Sequence, residues 1–173
     1  MSSACAPVLG FAAYSGTGKT TLLRQLIPLL KTSGLRVGLI KKTHHDADID
    51  QPGKDSYELR KAGANPVMLS SARRRALITE HAEFTEPCLE QELVYFDQAQ
   101  VDLILVEGFK RERFPKIELH RPSLGLPLLF PDDASIIALA TDAEPAVRPS
   151  VPVLDLNQPA AIAEFILTRF LSQ

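Results

Sequence analysis

The stretch VLGFAAYSGTGKTTLLRQLIPLLKTSG, Val8 to Gly34, decides how this chain folds. Val8 to Ala13 is a short apolar run ended by a Gly-rich turn, which reads as a buried strand. From Lys19 to Ser33 the period changes. Leu22, Leu23, Leu26, Ile27 and Leu30 fall on one helical face, and Gly34 suits the C-cap. Pro28 inside this helix predicts a kink.

The turn between strand and helix, Ala13 to Thr20, matches A-x-x-x-x-G-K-T, with Ala13 where a first glycine is usual. Successive backbone N–H groups of such a turn point inward, and the helix adds the positive end of its dipole. Gly16 and Gly18 let the backbone approach a phosphate closely. Lys19 is expected to reach the β- and γ-phosphates, Thr20 to ligate Mg²⁺ through its hydroxyl, and Thr21 to donate near the α-phosphate. The expected ligand is a nucleoside tri- or diphosphate.

Working outward, strands are expected at 37–41, 67–71, 75–79, 103–106, 116–120, 136–140 and 153–156. Helices are expected at 55–62, 86–97 and 160–170. The strands at 67–71 and 75–79 flank an arginine-rich turn and form a hairpin. Near-continuous apolar strands alternating with helices make an α/β protein, a P-loop NTPase-like three-layer fold with a mainly parallel sheet. The hairpin and the 116–120 strand read as additions, which makes the sheet mixed.

The 173 residues are expected to form one nucleotide-binding domain. With 45% apolar residues, 23% charged residues and a net charge of -2, nothing points to nucleic acid or a membrane surface as partner. No apolar run reaches the ~18 residues of a membrane span. Cys5 and Cys88 form no CxxC pair, which fits a reducing cytoplasm.

A phosphate loop needs a carboxylate on a neighbouring strand to orient Mg²⁺ or its water. Asp102 and Glu107 flank the strand DLILVEG. Ligands sit at the carboxyl ends of parallel strands. Asp102 lies at the other end, roughly 16 Å away at ~3.3 Å per residue. Glu107 is therefore the candidate for metal and catalysis, beside Lys19, and Gly108 leaves room next to it.

Other loops carry weaker signals. Lys41 to Asp46 is expected at the same sheet edge, supplying charge to phosphates. HHDADID resembles the opening of a calcium loop, but Gln51 and Tyr57 stand where its Gly and Glu belong. His44 and His45 are adjacent and do not easily share one zinc. Lys54 and Ser56 open the short helix and are either phosphate donors or simple caps. Arg73, Arg74 and Arg75 read as a solvated turn ahead of a lid or an anion grip. There is no NKxD motif for guanine. Asp142, after the strand IIALA, stands in its place, and the alternative is a turn-forming Asp.

Taken together, FAAYSGTGKTTLL, GLIKKTHHD, PGKDSYELRKAGA and DLILVEGFK resemble the molybdopterin-guanine dinucleotide biosynthesis protein B family. The resemblance is strongest from Val8 to Lys116, with IIALATD as a last anchor. It implies a GTP-binding homodimeric adaptor of molybdenum cofactor biosynthesis with weak GTPase activity. It implies a partner too, the guanylyltransferase that joins GMP to molybdopterin, with molybdopterin itself a further contact. The implied nucleotide site is Ser15, Gly16, Thr17, Gly18, Lys19, Thr20 and Thr21, with Glu107 near Mg²⁺. Two other readings are a small-molecule P-loop kinase, with the arginines as its lid, and a simple phosphate-binding module that dimerises through an edge strand.

Overall fold

The structure, a computed structural model, describes residues 6–43 and 49–172. It divides into two compact units, Met1–Lys42 with Cys88–Gln173, and Thr43–Pro87.

The first unit holds a six-stranded sheet. Its strands are β1 (Val8–Ala12), β2 (Val37–Lys41), β5 (Leu103–Glu107), β6 (Lys116–His120), β7 (Ile136–Thr141) and β8 (Val153–Asp155). They run in the order β2-β5-β1-β6-β7-β8, and each neighbouring pair is parallel. All six carboxyl ends therefore share one edge. The expected antiparallel pairing is confined to the hairpin in the other unit. The 116–120 strand is not an addition: it sits inside the sheet between β1 and β7.

Helices α1 (Lys19–Thr32) and α4 (Pro159–Phe165) cover one face. Leu22, Leu23, Leu26 and Leu30 of α1 pack with Leu9, Phe11, Leu103, Leu105, Ile117 and Leu119 of the sheet and Ile162 and Ile166 of the closing helix. Helix α1 runs through Pro28 as one element, and α4 continues as a π-helical stretch, Ile166–Phe170. On the other face Ile104, Val106 and Phe109 meet Leu89 and the rings of Phe96 and Phe114.

Helix α3 spans Leu89–Val94, shorter than the expected 86–97. Its first N–H, on Leu89, is accepted by both carboxylate oxygens of Glu112, at 3.2 and 3.1 Å. That carboxylate takes the place of a local cap at a helix N-terminus.

Strand β6 is buried at every position. Ile117 and Leu119 join the α1 face, while Lys116, Glu118 and His120 alternate onto the other. Each of these polar groups holds loop backbone. The Lys116 ammonium donates to the Lys110 and Glu112 carbonyls. The Glu118 carboxylate accepts the N–H groups of Leu129 and Phe130, at 2.7 and 2.8 Å. His120 meets the Leu126 carbonyl at 3.1 Å. Burial pushes the Glu118 carboxyl above the usual carboxylate range, and the two amide bonds oppose it.

The second unit contains α2 (Asp55–Lys61) and the antiparallel pair β3 (Val67–Ser70) and β4 (Arg75–Ile78). Arg60 pairs with Glu80, and Asn65 bonds both backbone groups of Glu80. Lys54 is the N-cap of α2 without a side-chain cap bond, and the Ser56 hydroxyl donates to Asp50. Arg73 and Arg74 are exposed in a turn closed by Ser71, whose hydroxyl and N–H both donate to the Arg74 carbonyl, and the exposed Arg75 opens β4.

Candidate nucleotide site

The phosphate loop leaves β1 at Ala12 and enters α1 at Lys19. Gly16 (φ +81) and Gly18 (φ +101) both lie in the left-handed region, where a side chain would be strained. No acidic residue occupies the first turn of α1, so its dipole end is unscreened. Ser15, Gly16, Thr20 and Thr21 are exposed to an incoming ligand. Thr17 is buried, and its hydroxyl donates to the Tyr14 carbonyl at 2.9 Å. Its side chain thus braces the loop, which leaves its backbone to serve a ligand.

Lys19 folds over the loop and donates to the carbonyls of Ala13 and Tyr14, at 3.0 and 3.2 Å. Burial pushes its pKa below that of an ordinary lysine. Glu107 opposes this, and Lys110 and Lys41 add to the lowering. This ammonium therefore has less counter-charge than it needs, and a phosphate would supply it.

Glu107 ends β5, directly beside Phe11 of β1 and Lys41 of β2 in register. Lys41 approaches its carboxylate at 3.4 Å. Lys110 stacks over the Tyr14 ring at 5.1 Å. The sheet thus brings Lys19, Lys41, Lys110 and Glu107 to one place. Sequence reasoning missed Lys110, whose signal is its position three residues after the strand-end acid.

Asp102 sits at the opposite end of β5, as expected. It is paired there with Arg36, whose guanidinium hydrogen-bonds both carboxylate oxygens, at 3.0 and 2.7 Å. Those bonds hold its carboxyl down to about 2.

After Glu107 the chain turns sharply. Gly108 (φ +101) is followed by Phe109 (φ 46), so two successive residues are left-handed. A Cβ on Gly108 would lie 2.6 Å from the Lys42 Cβ, with Lys42 backbone atoms at 3.4 Å. Gly108→Ala is expected to cost about 2–4 kcal/mol of stability, from left-handed strain plus overpacking. Urea denaturation checks this, and a loss under ~0.5 kcal/mol would contradict it.

Asp142 follows β7 on the same edge, two strands from β1 and so roughly 10 Å across the sheet. It lines a pocket of about 810 Å³ formed by residues 141–157, with Glu144, Arg148, Leu154, Asp155 and Asn157. Asp142 is ion-paired to Arg121, which also donates to the Thr17 carbonyl at 3.0 Å. Arg121 was not legible as a site residue.

His44, His45, Asp46 and Asp48 lie outside the described residues, as does Cys5. Among the described residues no three His, Cys, Asp or Glu side chains group as a metal cage. A Mg²⁺ ion here would use Thr20 and Glu107 and take its other ligands from phosphate and water, as Mg²⁺ commonly does. Among the described residues no helix is long and apolar enough to cross a membrane.

Residues 8–142 match the family model described as molybdopterin guanine dinucleotide synthesis protein B. The chain belongs to that family. It is 49% identical over 162 residues to the molybdopterin-guanine dinucleotide biosynthesis adapter protein of Escherichia coli (strain K12), covering 93% of this chain and 91% of that one. It is 42% identical to the protein of the same name from Haemophilus influenzae, covering 92% and 87%. Among solved structures, a molybdopterin-guanine biosynthesis protein B aligns with TM-score 0.70 at 24% identity, covering 93% of this chain and 98% of that one. The homologue from Bacillus stearothermophilus gives 0.69 at 23%, covering 96% and 99%. At those identities the likeness speaks for the fold. Family membership makes this an adapter protein of molybdopterin guanine dinucleotide biosynthesis. Its P-loop fold is consistent with nucleotide binding.

Proposed function

We infer that this adapter binds GTP with Mg²⁺ and presents it to the guanylyltransferase of the pathway, hydrolysing it slowly at most. One observation carries the reading: the phosphate loop that leads from β1 to Lys19, the β5 end at Glu107 and Asp142 just past β7 all lie at the same, carboxyl edge of the parallel sheet. In this reading Ser15 to Thr21 hold the phosphates and Lys19 neutralises their charge. Thr20 and Glu107 position the metal, and Asp142 accepts from the guanine N–H groups across the 141–157 pocket.

Slow hydrolysis accords with the role given to Glu107, which holds the metal with Lys41 3.4 Å from its carboxylate, so this reading gives the attacking water no general base. The reading includes a cytoplasmic homodimer in which both units serve one nucleotide-dependent protein. Exposed apolar residues of the second unit support self-association: Leu59, Met68, Leu77 and Phe84. A contact with molybdopterin belongs to the same reading through the partner enzyme.

The test is binding to the immobilised guanylyltransferase without nucleotide and with Mg·GTP, Mg·GDP or Mg·ATP. Mg·GTP is expected to tighten binding at least about tenfold, equivalent to ~1.4 kcal/mol. Equal affinity under all four conditions would overturn the GTP-dependent adapter. Rapid phosphoryl transfer from ATP to a small acceptor would instead make the protein a kinase.

A further inference from the structure

Arg121 follows β6, the strand that separates the phosphate loop from the pocket after β7. Its Nε donates to the Thr17 carbonyl of the phosphate loop at 3.0 Å. Its Nη1 donates to the Asp142 carboxylate. Its Nη2 lies 3.8 Å from where a Cβ on Gly18 would stand, an ordinary packing distance. One planar cation thus spans from the turn that holds phosphates to the acid beside the pocket. The anchor is well set: Arg121 is one residue past His120, which is buried and meets the Leu126 carbonyl.

We propose that Arg121 sets base specificity by positioning Asp142 against the phosphate loop. This rests on the guanine reading of Asp142. The guanidinium is always charged and its fork is rigid, so it fixes the orientation of the carboxylate it holds. An ionised, oriented carboxylate accepts from the N–H groups on the guanine edge and repels the acceptor nitrogen that adenine presents there. Because the same side chain holds the Thr17 carbonyl, the separation between phosphate cradle and base acceptor is fixed by a single residue. Without it Asp142 swings with its loop, and GTP loses the advantage that a pre-placed acceptor confers.

The discriminating readout is the ratio of GTP to ATP affinity, because a merely structural loss lowers both alike. Titrations of wild type, Arg121→Met, Arg121→Lys, Asp142→Asn and the Arg121→Met/Asp142→Asn double variant with Mg·GTP, Mg·ATP and Mg·tripolyphosphate test it. Arg121→Met is expected to reduce the GTP:ATP ratio at least tenfold, while any loss of phosphate grip from the freed Thr17 carbonyl should lower GTP, ATP and tripolyphosphate affinity alike. Arg121→Lys should recover part of the ratio, and the double variant should discriminate no worse than Asp142→Asn alone. A wild-type ratio in Arg121→Met overturns the proposal and leaves the guanine reading standing. Additive losses in the double variant overturn it as well. If Arg121→Met does not fold, a wild-type ratio in Arg121→Lys counts against it, since a lysine cannot reproduce the fork. A wild type that binds ATP as tightly as GTP overturns the guanine reading itself, and this role for Arg121 with it.

Discussion

Lys19→Ala is expected to weaken Mg·GTP binding by on the order of a hundredfold while leaving the fold intact. Charge-assisted bonds to phosphate are worth about 1.5–3 kcal/mol each, and Lys19 is expected to make more than one. In the structure its ammonium is spent on the Ala13 and Tyr14 carbonyls, at 3.0 and 3.2 Å. Those bonds join neutral acceptors and exchange readily for charged ones. Burial and two neighbouring lysines already disfavour its charge, so an arriving triphosphate gains more from it than from a solvated lysine. Loss of the two carbonyl bonds should cost the unliganded protein only about 1–2 kcal/mol. Calorimetric titration alongside urea denaturation separates the two effects. A loss in affinity of less than threefold would mean that the triphosphate is not held at this loop.

Lys116→Ala is expected to be among the most damaging substitutions to stability, costing about 3 kcal/mol or more. This side chain is 1% exposed. Its ammonium pairs with Asp133 at 2.7 Å, donates to the Lys110 and Glu112 carbonyls, and sits 5.3 Å from the Phe114 ring centre. Its stem also occupies the space above Gly10. A Cβ there would fall 2.7 Å from the Lys116 Cγ and 2.5 Å from the Phe114 ring. Removing the ammonium leaves a carboxylate and two carbonyls without their shared donor and a gap over the central strand. Asp133 keeps 26% side-chain exposure, which lets water compensate part of the loss and favours the lower end of the usual 3–5 kcal/mol range for a broken buried pair.

The same pair predicts a pH signature. Burial pushes the Asp133 carboxyl up, but the bonds from Lys116 and Ser135 outweigh it and hold the group below the usual carboxylate range. A depressed carboxyl contributes stability above its unfolded value of 3.8, and that contribution is lost as pH falls through the folded value. The difference in unfolding free energy between wild type and Lys116→Ala should therefore shrink below about pH 4. A difference that is constant from pH 7 to pH 3 would show that the ion pair is not its source.

The strand, phosphate loop and α1 were legible because each signal is local. A change of period, two glycines and a lysine at fixed spacing are written within 27 residues, Val8 to Gly34. That Glu107 ends β5 on the phosphate-loop side while Asp102 lies at the other end was legible from strand direction alone, and there Asp102 pairs with Arg36. Strand β6 misled because KIELH alternates charged and apolar residues, the pattern of a half-exposed strand. Its charges are instead buried against loops whose backbone they hold, and nothing local announces that. The start of α3 was misplaced for a similar reason, since its cap is Glu112, 23 residues from Leu89. Arg121 was invisible because its partners lie 104 residues back and 21 residues on. No motif spans such distances, and only the parallel order of the strands brings them together.

The most direct test is an equilibrium titration of the wild-type protein with Mg·GTP and Mg·ATP under identical salt and pH. GTP is expected to bind at least about tenfold more tightly, the discrimination that one well-placed acceptor for the guanine edge provides. Equal affinities, or a preference for ATP, would contradict a guanine-reading nucleotide site on this sheet edge.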